Sequence, residues 1–130
     1  IAVPQFIEMQ LKAKRAELPA NVDGIKMAEM AYDASFDEHV ELPLAPRDDA
    51  ALDKEAVEFD STLPEWKSIG WKPDGLVRGN YQVGLSQVDH PGIDFLVTAR
   101  SDLDDDDALC EYLASEQHNA TITELRQYLY

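Results

Sequence analysis

The sequence predicts an α+β fold in which a long N-terminal α-helix packs on an antiparallel β-meander of about four strands. Two observations lead to this class. Helix-forming residues dominate the start of the chain, and β-branched and aromatic runs separated by turn signals fill the second half. A length of 130 residues fits one domain, 1–130, because such a chain buries roughly two thirds of the surface that it exposes when unfolded. We divide it into an N-terminal helix at 1–38, a connecting loop at 39–65 and a β-sheet region at 66–130.

The helix is predicted over residues 5–38, where Gln, Glu, Met, Leu, Lys, Arg and Ala predominate. Because Pro19 lacks an amide donor and disfavours helical angles at Leu18, we expect a kink or a short break between residues 17 and 21. In the second half, apolar residues at steps of three or four predict a buried face, and charged positions predict a solvated one. The buried stripe comprises Val22, Ile25, Ala28, Tyr32 and Phe36, and the solvated face comprises Asp23, Lys26, Asp33 and Asp37.

The first half of the helix is apolar around much of its circumference. Phe6, Ile7, Met9 and Leu11 follow one another with few intervening charges. One interpretation is that such a helix binds a partner, which is either lipid or another copy of the chain. The other is that it is an ordinary amphipathic helix with a frayed end. The pattern alone leaves both interpretations open.

The connecting region at 42–64 contains three prolines and no sustained periodicity. This composition predicts a segment that crosses the surface, with one helical turn near residues 53–57. The sheet is predicted to follow it directly. Its strands are expected at 66–71, 76–85, 93–100 and 109–114, with a last short element within 121–130.

Two reversals connect the predicted strands. Pro-Asp-Gly at 73–75 predicts a hairpin turn with Gly75 at positive φ, and Asp-His-Pro-Gly at 89–92 predicts the second. In the strand at 93–100, Phe95, Val97 and Ala99 alternate with polar or outward positions. The large side chains expected in the core between sheet and helix are Trp66, Trp71, Tyr81 and Phe95.

Charge and composition restrict the function. Eleven Lys and Arg against 26 Asp and Glu give a net charge of −15, which repels nucleic acids and anionic lipids. The chain contains no run of about 18 apolar residues of the kind that spans a bilayer. Serine-nucleophile and phosphate-loop signatures are absent, and we predict that the protein is not an enzyme.

An acidic run after the strand at 93–100 suggests a cation site. The run places an aspartate at every second residue, which is the spacing of the first three oxygen ligands of an EF-hand loop; these residues are Asp102, Asp104 and Asp106. Further candidate ligands are Glu111 and Glu116. The glycine and the final glutamate of a true EF-hand are missing. The run is therefore either a calcium site, the one cofactor that the sequence suggests, or a solvated turn.

Histidine and cysteine give no metal or redox motif. His39, His90 and His118 lie far apart in predicted loops or element ends and are expected at the surface. Cys110 is the only cysteine, so it cannot form an internal disulfide. Its apolar neighbours predict a buried small side chain rather than a reactive thiol.

The N-terminal residues carry a family resemblance. Ile-Ala-Val-Pro-Gln-Phe at 1–6 and the helical segment at 8–17 resemble the stretch just downstream of the hydrophobic signature of bacterial type IV pilins and pseudopilins. The segments Ile-Gly-Trp-Lys-Pro-Asp-Gly at 69–75 and Phe-Leu-Val-Thr-Ala at 95–99 also resemble pilin-like proteins of Gram-negative bacteria. The chain departs from the family in its single cysteine, where many pilins close a C-terminal loop with two, and in Pro19.

The resemblance implies a structural subunit of a type IV pilus or a related filament, with the pilin fold of a long helix on an antiparallel sheet. It also implies an apolar helical segment ahead of residue 1. That segment would anchor the subunit in the inner membrane and then pack with other copies in an extracellular filament. Phe6, Ile7, Met9 and Leu11 would extend this filament interface.

Two alternatives remain. The first is a minor pilin or a pseudopilin of a type II secretion-type system, which differs from a major subunit in copy number. The second is a calcium-dependent binding module that forms no filament, which would depend on the acidic run.

Overall fold

The computed structural model describes residues 3–60, 62–85, 94–104 and 108–122, with side chains from Phe6 onward. Its elements are α1 (Val3–Arg15), α2 (Glu17–Phe36), β1 (Leu42–Ala45), a 3-10 helix (Asp49–Ala51), α3 (Pro64–Ser68), β2 (Asn80–Leu85), β3 (Phe95–Ser101), β4 (Cys110–Ser115) and β5 (Thr121–Ile122). The strands form one antiparallel sheet in the order β1-β2-β3-β4-β5. Helix α2 packs across β3 and β4, which confirms the predicted α+β class.

The N-terminal helix is interrupted at Ala16, one residue before the interval that we predicted. Pro19 has no amide hydrogen to donate to the carbonyl of Arg15, four residues earlier, so the interruption falls upstream of the proline. Ala16 keeps helical dihedral angles, φ −59° and ψ −18°. Pro19 itself lies in the first turn of α2, where amides lack an intrahelical acceptor. The break is therefore a single residue between two helices.

The apolar face of α2 begins earlier than the predicted stripe. Leu18 joins Val22 and Ile25 in the core, and each of the three is at most 1% exposed. At the other end Phe36 is 64% exposed and stacks on the half-buried Tyr32, with ring centroids 4.6 Å apart. The prediction was wrong for Phe36 because it is the last residue of α2, where its ring packs on the helix itself.

Two charged residues of α2 that we expected in solvent, Lys26 and Asp23, bond to distant partners, and Lys26 is buried. Lys26 is 7% exposed, and its Nζ donates to Asn119 Oδ1 at 2.9 Å. The Asp23 carboxylate accepts a hydrogen bond from the amide of Ala120 at 2.8 Å. Because these partners precede β5, far along the chain, helical periodicity could not identify them. They attach α2 to the segment between β4 and β5.

The first predicted hairpin does not form. Residues Pro64–Ser68 are helical instead of extended, since Pro64 suits the first helical position and the Trp66 indole donates to the carbonyl of Pro43 at 2.9 Å. Gly70 follows with φ +70°. Gly75 does adopt the predicted positive φ, at +130°, but within a loop.

The connecting region is more ordered than we predicted. It contains β1, which pairs with β2 and brings the sheet to five strands. The helical turn expected at 53–57 lies earlier, at Asp49–Ala51, because the Asp48 carboxylate caps it by accepting from Ala51 N at 3.0 Å.

The remaining strands agree with the prediction to within a few residues. β2, β3 and β4 lie within or next to the predicted strands 76–85, 93–100 and 109–114, and β5 begins the predicted last element. The reversal predicted at 89–92 and the rest of the last element, 123–130, lie outside the described residues.

The core contains the aromatic residues that the sequence indicates. Trp66, Tyr81 and Phe95 are fully buried, and the half-buried Trp71 packs against Trp66 and Tyr81 with ring centroids 5.7 and 6.1 Å away. Cys110 is also fully buried, as predicted. This core lies between α2 and one face of the sheet.

Gly79, just before β2, lies close against Leu18 of α2, and Gly79→Ala is expected to lower the free energy of unfolding by about 2 kcal/mol. A Cβ atom there would overlap Cδ2 of Leu18 and lie 2.9 Å from the carbonyl oxygen of Arg100. Urea denaturation followed by tryptophan fluorescence measures the effect. Because Leu18 supplies part of the clash, the double variant with Leu18→Ala should lose less than the sum of the two single variants. Strict additivity, or no loss in Gly79→Ala, would contradict this account.

Candidate functional site

Helix α1 exposes a cluster of large apolar side chains, which we call the α1 apolar surface. Phe6 is 60% exposed, Ile7 48% and Met9 68%, while Leu11 is half-buried. At 100° per residue, these four side chains spread over roughly 200° of the helix circumference. Half of the large apolar side chains that the described residues expose lie on this one helix; the others are Met27, Phe36 and Leu76.

The helix contacts chiefly its neighbour α2 and is stabilised from within. Lys12, Lys14 and Arg15 lie in its last turn, where positive charge interacts favourably with the helix dipole. Lys12 also pairs with Glu8, one turn earlier, at 3.5 Å. Sheet packing therefore does not explain the apolar residues of α1.

A half-buried hydrogen-bond cluster holds the start of α2 against β2 and the residues just before it. The Glu17 carboxylate accepts from the amides of Arg78 and Gly79 at 3.0 and 3.1 Å and from the Tyr81 hydroxyl at 2.6 Å. Asn21 Nδ2 donates to the same hydroxyl at 3.0 Å. Burial and the adjacent Glu17 carboxylate hold the pKa of Tyr81 well above its usual range.

The predicted cation ligands lie in unlike surroundings. Asp102 is 2% exposed, Asp104 is exposed, and Asp106 lies outside the described residues. The Glu111 carboxylate accepts from Arg100 Nε at 2.8 Å, so it is engaged by an arginine guanidinium. The described residues therefore do not unite this acidic run into one site.

Glu116 belongs to another part of the molecule. In the β3–β4 register Ser101 lies opposite Cys110 and Leu96 opposite Ser115. Asp102 therefore follows one end of the hairpin and Glu116 the other, roughly 20 Å apart along the strands. Our suggestion that Glu116 joins Asp102 around one ion is wrong for this geometric reason.

Glu116 instead lies beside a histidine and a second carboxylate. One ligand atom from each of His39, Asp94 and Glu116 lies within 4.8 Å of the others, the one such group among the described residues. His39 is half-buried, and its ring centroid is 4.7 Å from that of Phe95. We expected His39 at the surface; His118 is exposed as predicted, and His90 lies outside the described residues.

Sequence spacing could not reveal this group. Asp94 directly precedes β3, Glu116 directly follows β4, and His39 follows α2. The antiparallel register of the β3–β4 hairpin makes the two carboxylates neighbours. Pairing these two predicted strands was the one way in which the sequence could have brought the carboxylates together. The packing of α2 on the sheet supplies the histidine.

Comparison with known proteins adds no assignment: no family model, no curated protein and no solved structure matches the chain. The resemblance to type IV pilins therefore stays a prediction from the motif residues. None of the described helices is both long enough and apolar enough to cross a membrane.

Proposed function

We propose that the chain is a structural subunit of a type IV pilus or a related filament and that the α1 apolar surface is its assembly interface. The observation that carries this proposal is the exposure of Phe6, Ile7 and Met9 on a helix whose main contact is α2. Contiguous apolar surface of this kind is typical of interaction sites. Leu11 continues the same surface toward the base of the helix.

Apolar burial between copies supplies the driving force. Complete burial of an exposed large apolar side chain contributes about 1.5–3 kcal/mol, so three such residues contribute several kcal/mol to each contact. A contact between different surfaces of identical subunits gives a ring if its rotation closes and a helical filament if it does not. One interface of this kind is therefore sufficient to build a filament.

Charge supports a contact between copies. Helix α1 carries Lys12, Lys14 and Arg15 against Glu8, a net charge of 3 − 1 = +2. The remaining residues carry −15 − 2 = −17. Copies of α1 can therefore approach one another in a filament core with far less charge repulsion than the acidic remainders of two subunits, which favours a contact through α1.

The pilin resemblance supplies the cellular setting of the proposal. An apolar segment ahead of residue 1 would hold the subunit in the inner membrane until assembly and would continue the helical core of the filament. The sheet and the acidic turns would then face outward in an extracellular fibre of a Gram-negative bacterium.

We expect Phe6→Asp and Met9→Asp to abolish filaments on cells that produce the uncut gene product. A carboxylate at either position would have to be buried in the apolar contact without a partner. Electron microscopy and immunoblots of filaments sheared from the cells measure the loss. Leu76→Asp is the matched control, since Leu76 is 59% exposed but lies outside α1.

The same experiment can reject the proposal. Normal filaments from both α1 variants, or equal loss in the Leu76→Asp control, would show that α1 is not the interface. Circular dichroism of the purified variant chains verifies that each is folded. Quantifying the protein in the sheared filaments separates a main subunit from a minor pilin or a pseudopilin.

A further inference from the structure

A histidine and two carboxylates from three distant parts of the chain converge at one end of the β3–β4 hairpin. They are His39, Asp94 and Glu116, with one ligand atom from each within 4.8 Å of the others. Among the described residues, neither Asp94 nor Glu116 makes a side-chain hydrogen bond or ion pair. The two acidic side chains are therefore available as ligands.

The histidine has an unmet requirement of its own. Its Nδ1 atom is buried and has no hydrogen-bond partner in the described part of the chain. A buried polar atom without a partner is costly, so most such atoms in folded proteins are satisfied by protein, water or an ion. Coordination of an ion through Nδ1 would meet this requirement.

The ligand set selects a class of cation. Imidazole nitrogen and carboxylate oxygen together are typical ligands of Zn²⁺ and related transition metals, whereas Ca²⁺ prefers oxygen alone. Two carboxylates also balance the double charge of the ion. Three protein ligands leave one position of a tetrahedral ion for water or a further ligand.

Coordination requires the three side chains to move closer together. Ligand atoms about 2.1 Å from a tetrahedral ion lie about 3.4 Å apart. The present upper bound of 4.8 Å exceeds that spacing by about 1.4 Å. Asp94 is exposed and Glu116 half-buried, so rotation of their side chains can close this difference.

We propose that His39, Asp94 and Glu116 bind one divalent cation of the zinc class. The ion would attach the segment after α2 to both strands of the hairpin, because Asp94 precedes β3 and Glu116 follows β4. This proposal does not depend on filament assembly, and the site lies at the opposite end of the hairpin from Asp102.

Titration calorimetry of the purified chain with ZnCl₂, after chelator treatment, tests the proposal. We expect one high-affinity Zn²⁺ per chain and a higher midpoint of thermal unfolding in its presence. His39→Gln and Asp94→Asn should each weaken binding at least tenfold. The exposed His118→Gln and Asp104→Asn are the matched controls and should leave the affinity unchanged.

A spectroscopic readout identifies the nitrogen ligand without depending on the variants. NMR should show that Zn²⁺ shifts the imidazole signals of His39 but not those of His118, even if His39→Gln fails to fold. Excess CaCl₂ should not displace the zinc. Zinc affinity retained in folded His39→Gln and Asp94→Asn, unshifted His39 signals, or displacement by Ca²⁺ would each overturn the proposal.

Discussion

Glu17→Ala is expected to lower the free energy of unfolding by about 4 kcal/mol, a large fraction of the stability of a domain of this size. The lost carboxylate accepts from two backbone amides, of Arg78 and Gly79, and from the Tyr81 hydroxyl at 2.6 Å. Hydrogen bonds to a charged group contribute about 1.5–3 kcal/mol each, and donors that are left without an acceptor add a desolvation cost. Alanine offers none of them an acceptor.

Chemical denaturation of wild type and variants measures this effect. Glu17→Gln is the informative partner, because it retains one acceptor oxygen and should lose about half as much. Glu8→Ala removes a glutamate from an exposed ion pair on α1 and should cost less than about 0.5 kcal/mol. A loss below about 1 kcal/mol in Glu17→Ala would mean that the cluster contributes little to the attachment of α2.

The second large effect concerns pH and Glu29, whose carboxyl is fully buried on α2 and accepts from the amide of Val40 at 3.1 Å. Burial raises the pKa of Glu29 from 4.5 to about 7, against smaller opposing contributions from the Val40 hydrogen bond and the charge of His39. The folded state therefore keeps a proton that the unfolded state has already released. Stability from this group is complete below pH 4.5 and is lost as pH rises through about 7.

We expect this loss to amount to about 3 kcal/mol, since each pKa unit corresponds to about 1.4 kcal/mol. Glu29→Gln keeps an acceptor for Val40 but cannot ionise. The free energy of unfolding of the variant minus that of wild type, measured with a chelator present, should therefore rise between pH 4.5 and 7 and level off above. A difference that is constant across this range would show that Glu29 ionises normally.

Local patterns were sufficient for the parts of the fold that depend on local chemistry. Runs of β-forming residues between turn signals located β2, β3 and β4, and helix-forming composition located α1 and α2. The large aromatic residues occupy the core as expected. These features follow from how side chains repeat along a helix or a strand, which one sequence reveals directly.

The errors share a different physical cause. The sequence predicts Trp66 in a strand, but Trp66 lies in the short helix α3 and its indole donates a hydrogen bond to the carbonyl of Pro43. The sequence predicts Lys26 in solvent, but its side chain is buried because its Nζ donates to Asn119, which lies far along the chain. In each case the deciding partner lies outside the local pattern, and the grouping of His39 with two carboxylates has the same origin.

Strand β1 also limits how copies of the chain can join. It forms one outer edge of the sheet, where unpaired backbone groups could template the addition of a strand from another molecule. This edge is a poor template for three reasons. The strand is only four residues long, its register with β2 is irregular, and Pro43 has no amide hydrogen to donate. Crowded copies are thus protected at β1 from the cross-β aggregation that exposed strands invite.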